Sequence, residues 1–181
     1  MASSDALPAG REIPFEMSFR TAAPPEAVFD QLADVGSHLE WGGSKGNKKF
    51  HLTGLQIGTG PAVKGTEWTS TGMAPDGTFT DRSVVHEATR PTRFEFTTEA
   101  HAAFRKGGEG DWTVVNRYDI APDGAGSRVT YRQTVTRATA MGPMKMMLTP
   151  VLGSVGRMMV KALNKKAMRN LAAMAEERAK R

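Results

Sequence analysis

From Phe50 onward, almost ninety residues alternate between apolar and polar side chains, broken only by turn signals, and then the period changes to that of a helix. Few folds satisfy that order. The interruptions are "GTGP" at 58–61, "APDG" at 74–77, "TRPT" at 89–92, "RKGGEGD" at 105–111 and "PDGAG" at 122–126, each a dense group of residues that favour reversal of the chain. Short reversals between alternating runs give an antiparallel meander of about six strands. Its last two runs are the clearest: "WTVVNRYDI" puts Trp112, Val114, Tyr118 and Ile120 on one face, and "RVTYRQTVT" does the same for Val129, Tyr131 and Val135.

The segments on either side complete the pattern. "IPFEMSFRT" alternates Ile13, Phe15, Met17 and Phe19 against Glu16, Ser18 and Arg20, so a half-buried strand precedes the meander. In "PPEAVFDQLAD" a proline suits the first helical turn, Glu26 favours its positive end, and Val28, Phe29 and Leu32 make an apolar side. A second short turn is expected from Val35 to Trp41, ended by the loop "GGSKGNKK". After Pro150, apolar residues recur every three or four positions at Leu152, Val155, Met159, Leu163, Ala167, Leu171 and Met174, while Arg157, Lys161, Lys165 and Arg169 lie off that stripe. A long amphipathic helix therefore closes the chain. A curved sheet with one apolar face must cover it, and only that helix is long enough. The expected class is α+β: a curved antiparallel sheet of about seven strands wrapped around a long C-terminal helix, with two short helices after the first strand.

At 181 residues, with 39% hydrophobic and 24% charged side chains, the chain suits one domain at 13–181 behind a flexible tail at 1–12. No apolar run approaches the ~20 residues of a membrane span, and the first residues lack the apolar core of a secretory signal, so the cytoplasm is the expected location. The net charge of +5 is local: residues 150–181 hold eight basic and two acidic residues, +6 between them, which leaves about −1 for the rest. A solvated helix face is the ordinary reading of such a bias; transient contact with an anionic membrane or an acidic partner is the other. No helix-turn-helix or aromatic-rich basic stripe points to nucleic acid. The four histidines, His38, His51, His86 and His101, form neither HExxH nor a close pair, cysteine is absent, and neither a metal site nor another cofactor is expected. No G-x-S-x-G elbow or Ser/His/Asp set suggests nucleophilic hydrolysis.

"APPEAVFDQLAD" after the first strand, "VKGTEW", "SVVHEATRPTRFEF" across a hairpin and "VTYRQTV" before the terminal helix together resemble the SRPBCC superfamily. This is the helix-grip fold of START-like, Bet v 1-like and polyketide cyclase/dehydrase-like proteins. The resemblance runs from Ile13 over nearly the whole chain. It implies a cavity between sheet and long helix for an apolar or aromatic small molecule, and leaves open whether the protein carries its ligand or acts on it.

Hairpin arithmetic converts the pattern into candidate site residues. A two-residue turn at Gly124 and Ala125 pairs Tyr118 with Tyr131, Asn116 with Gln133 and Val114 with Val135. A turn at Pro75 and Asp76 pairs Trp68 with Ser83 and Ser70 with Asp81, and matching apolar faces pairs Phe96 with Val85 and Thr98 with Ser83. A uniform register across the glycine-rich loop then places Thr98 near Asn116. The expected lining is Trp68, Ser83, Phe96, Thr98, Asn116, Tyr118, Tyr131 and Gln133 on the sheet, with Met159 and Leu163 from the helix: apolar walls carrying a few convergent polar groups. Polar groups that merely bond one another or water in an unliganded core are the plainer reading. Asp81 is in phase with Phe79, Ser83 and Val85. An inward carboxylate of raised pKa could serve as acid or base; a wet strand end or an arginine partner is the alternative. The methionines Met141, Met144, Met146 and Met147 are expected either to pack an irregular connection or to cover the cavity.

The expected function is binding or transport of a lipid, isoprenoid or polyketide-like molecule, with a polyketide cyclase or dehydratase acting in the same cavity as the runner-up. In that second reading Asp81, Tyr118, Tyr131 or Asn116 would move a proton or orient an enolate. The sequence leaves the oligomeric state unknown.

Overall fold

The structure, a computed structural model, describes residues 6–43, 51–74, 77–105, 107–139 and 153–181; within the last stretch the side chains of residues 153–157, 159, 160 and 163 are outside the description. The elements follow the expected order: β1 (Ile13–Thr21), α1 (Pro25–Ala33), a 3-10 turn (Val35–Ser37), α2 (His38–Gly42), β2 (His51–Ile57), β3 (Glu67–Ala74), β4 (Gly77–Thr89), β5 (Arg93–Phe104), β6 (Glu109–Asp123), β7 (Gly126–Ala138) and α3 (Gly153–Arg178). All seven strands form one antiparallel sheet in the order β1-β7-β6-β5-β4-β3-β2. The meander thus runs across the sheet strand by strand, and β1 closes it at the β7 edge.

Side chains of alternate parity divide the sheet into a core face and an outer face. On the core face Phe15, Met17, Trp68, Val85, Phe94, Phe96, Tyr118, Ile120, Val129 and Tyr131 are buried against α1, α2 and α3. Among the described side chains of α3, Met168, Leu171 and Ala175 in its C-terminal half pack here, with Ala167 and Met174 flanking them. The helix is also tied by polar contacts. Glu176 accepts hydrogen bonds from Thr21 Oγ1 (2.7 Å) and the Ala22 amide (2.9 Å), which hold its carboxyl below the usual range. Arg178 donates to Gln31 Oε1 at 3.0 Å and pairs with Asp34. One end of α3 is therefore locked onto β1 and α1.

The outer face carries charge. Asp119 receives Arg93 (2.8 Å), Arg117 (2.9 Å) and Arg132; partial burial works against its ionisation, but Arg117 and Arg93 together hold the carboxyl low. Glu16 and Glu87 extend this network to β1 and β4. The hairpin joining β4 and β5 is fixed to α1 by a two-point bond from Arg90 to Asp30, at 2.8 and 3.0 Å. Within the segment read as a tail, Leu7 is buried beside Ile13 and Ala138, and its amide bonds Ala138 O at 2.8 Å.

Turn chemistry sets most of the registers. Gly124 has φ +63°, so the β6–β7 turn takes its left-handed residue at the one position without a Cβ, and Asp123 pairs with Gly126. At Gly72 the reason for glycine is space: a Cβ there would lie 2.0 Å from the ring of Phe79 on the neighbouring strand.

Candidate functional site

The pairs Tyr118–Tyr131, Asn116–Gln133, Val114–Val135, Trp68–Ser83, Ser70–Asp81, Phe96–Val85 and Thr98–Ser83 all occur. Between β5 and β6 the register differs by two residues from the uniform one: Asn116 faces Phe96, and Thr98 faces Val114. Thr98 and Asn116 remain diagonal neighbours on the same face. The loop from Arg105 to Gly108 contains two left-handed glycines, Gly107 and Gly108, and a loop of that length does not transmit register as a two-residue turn does.

A chain of polar contacts crosses the core face. Ser83 and Thr98 hydroxyls lie 2.9 Å apart, Asn116 Nδ2 reaches Thr98 Oγ1 at 3.4 Å, and Asn116 Oδ1 accepts from Tyr131 Oη at 2.8 Å and from Gln133 Nε2 at 3.3 Å. Tyr118 stacks on Tyr131 with ring centroids 4.7 Å apart, and its hydroxyl bonds the Tyr131 oxygen. Burial pushes both phenols upward, so neither ionises near neutral pH. Ser83 and Asn116 are thus satisfied within the protein, and Trp68, Phe96, Tyr118 and Tyr131 are members of the packed core. Met159 and Leu163 belong to α3, but their side chains lie outside the described residues, as do Met141, Met144, Met146 and Met147 and most of "GGSKGNKK".

Among the described residues the core face is not buried uniformly. Leu55, Asp81, Thr98, Ala100, Val114, Gln133 and Val135 all point inward, yet each retains intermediate exposure. They are contiguous across the sheet, since Leu55 faces Ser70, Ser70 faces Asp81, Asp81 faces Ala100, Thr98 faces Val114, and Val114 faces Val135. An inward side chain that stays accessible borders open space. The aromatic core fills the half of the face beneath α1 and the C-terminal half of α3; this second half is lined by small and aliphatic residues with a few polar groups. Trp112, at its margin, packs edge-on against Phe104 at 5.9 Å and has a buried Nε1–H without a partner.

Asp81 occupies the open half, in the middle of β4. It lies away from the strand ends and no described arginine pairs with it: its Oδ1 accepts from Ser70 Oγ at 2.5 Å, while Arg82 points to the other face and pairs with Glu67 at 2.6 Å. Desolvation raises the Asp81 pKa, and the Ser70 bond opposes part of that shift. The result is an inward carboxyl that protonates more readily than a surface aspartate. Sequence reasoning did not single out Leu55 or Ala100. The first lies just beyond a β-bulge between Leu52 and Gly54 that disrupts alternation in β2, and alanine gives little periodic signal.

Two other features bound the possibilities. His38 is buried, with Nε2 2.9 Å from Leu32 O and its ring against Trp41 and Trp68; desolvation lowers its pKa to about 4, so it is a neutral donor to that carbonyl. On the outer face a trough of about 580 Å³ runs between one row of side chains including Thr69, Arg82 and Glu99 and another including Thr71, Thr80 and His101. His101 there bonds Asp111 at 2.9 Å and is exposed, as is His86. The trough is a solvated face of mixed charge. Among the described residues no group of three or more His, Cys, Asp or Glu could hold a metal ion, and no helix is long and apolar enough to cross a membrane.

An antiparallel sheet curled about a C-terminal helix, with an accessible patch left on its core face, defines a helix-grip protein with a fold that binds hydrophobic ligands. The chain belongs to the family described as "Polyketide cyclase / dehydrase and lipid transport", whose model matches residues 12–176, and hence to the SRPBCC superfamily. Its solved neighbours share the Bet v 1-like fold. A Chromobacterium violaceum protein aligns with TM-score 0.58 at 16% identity over 91% of this chain and 97% of its own. Ara h 8.0201 gives 0.58 at 15%, over 92% and 99%. A Rhizobium leguminosarum protein gives 0.60 at 9%, over 92% and 96%. At these identities the likeness is one of fold. No curated protein matches the chain.

Proposed function

We propose that the protein binds and carries a hydrophobic small molecule, of lipid, isoprenoid or polyketide-like type, over the open half of its core face. The observation that carries this reading is the contiguous set of inward yet accessible side chains from Leu55 to Val135. Their aliphatic members would supply affinity by leaving water, at roughly 25 cal/mol per Å² of apolar surface buried. Asp81, Thr98 and Gln133 would orient whatever polar group the ligand carries, with Trp68, Ser83, Phe96, Asn116, Tyr118 and Tyr131 as the rigid wall that positions them. Met159 and Leu163 of α3 are proposed as further ligand contacts. Exchange of ligand would take place in the cytoplasm, the location the sequence suggests. Organic extraction of freshly purified protein, with mass spectrometry of the extract, tests this reading. The expected result is an apolar compound in stoichiometric amount, lost in Ala100→Trp, which fills the space; an empty extract, and no uptake from added fatty acid or isoprenoid, would contradict it.

One observation favours the enzymatic reading: an inward carboxyl with raised pKa is a proton donor or acceptor suited to a cyclisation or dehydration. Asp81→Asn separates the two readings. In a carrier, the ligand still binds and the variant is more stable than wild type at neutral pH, because the cost of an ionised, partly buried carboxylate is gone. In an enzyme the ligand also binds, but turnover of a polyketide-like substrate disappears.

A further inference from the structure

The outward face of α3 from Met158 to Arg169 presents an unusual surface. Met158, one of the two large hydrophobic residues exposed in the described structure, is 67% accessible. Lys161, Ala162, Lys165, Lys166 and Arg169 are exposed after it. With about 100° per residue, these six side chains fall within an arc of roughly 140° that includes Met158, along about 17 Å of helix. None of the four cations has an ion pair with a described residue, whereas Arg178, at the locked end, is paired with Asp34. Described acidic residues on α3 begin only at Glu176. We infer that this face docks the protein on a bilayer bearing anionic headgroups, with the cations at headgroup level and Met158 reaching the acyl boundary. A nucleic acid or an acidic protein would satisfy the charges but give no reason for an exposed methionine beside them. A bilayer satisfies both, as amphipathic interfacial helices do. The inference builds on the carrier reading, because a ligand too apolar for water has to be collected and released at such a surface.

The test is co-sedimentation of the full-length protein with vesicles of phosphatidylcholine alone and of phosphatidylcholine with phosphatidylserine. Binding is expected only to the second, to fall as salt is raised, and to drop about fivefold for each cation neutralised, hence by more than roughly a hundredfold in Lys161→Glu/Lys165→Glu/Arg169→Glu, where each change also adds a repelled charge. These residues are exposed and have no ion pair with a described residue, so the variant should keep its fold and circular dichroism spectrum. Met158→Asp should weaken binding to phosphatidylserine vesicles several-fold, an effect that charge attraction alone does not explain. Equal binding to both vesicles, no loss in the triple variant, or binding to polyglutamate or duplex DNA in place of vesicles would overturn the inference. Uptake of a fatty acid from vesicle-free solution, measured in parallel, separates loss of docking from failure of the carrier reading.

Discussion

His38 shows how one buried side chain sets a pH dependence. Its folded pKa of about 4 lies below the ordinary 6.5, so the folded protein resists protonation at this ring. A group with a depressed folded value contributes stability above its unfolded pKa and loses it as pH falls. The window is therefore from about pH 6.5 down to about 4, and the full loss is about 3 kcal/mol. Urea unfolding at a series of pH values should show a decline that begins near pH 6.5, and His38→Gln should flatten it. A decline identical in the variant would place the titrating group elsewhere. None of this was legible in the sequence, where His38 sits in a short polar-looking helix. Asp81 was legible as inward, because period two fixes parity. Its partner Ser70 followed from the expected two-residue turn, while the lack of a described arginine partner did not, since parity sends Arg82 to the other face but says nothing about arginines on other elements.

At the level of elements, the described side chains of α3 include a buried set near its C-terminal end and an exposed set from Met158 to Arg169. Leu171 is fully buried, so Leu171→Ala should cost about 2–5 kcal/mol through lost burial and a residual cavity. Glu176→Ala should cost about 1–2 kcal/mol, as two donors on β1 and its following residue lose their acceptor. Denaturant midpoints would check both, and a small effect of Leu171→Ala would mean that the helix is not held at that end. The hydrophobic stripe revealed the helix and Leu171, but Met168 and Ala175, which complete the contact, lie off the stripe as read. The strand registers were legible wherever a two-residue turn was expected. They were not legible across Arg105–Gly108, and that single loop shifted the polar row on β6 and β7 by two residues relative to the row on β3 to β5.

For the whole molecule, the order of strands and helices in the sequence was sufficient to fix the architecture, because a meander and one long helix leave few ways to cover an apolar sheet face. The division of that face into a filled and an open half was not. It depends on how far the C-terminal half of α3 reaches and on small residues such as Ser70 and Ala100, whose effect is the space they leave. The claim that this space is the binding site has a direct test in methyl-resolved NMR during titration with a fatty acid. The account predicts shifts and intermolecular contacts at the methyl groups of Leu55, Ala100, Val114 and Val135, while Val28, Leu32 and Val129 in the filled half stay unchanged. Contacts confined to the outer face, or shifts absent from the four open-half residues at saturating ligand, would contradict it.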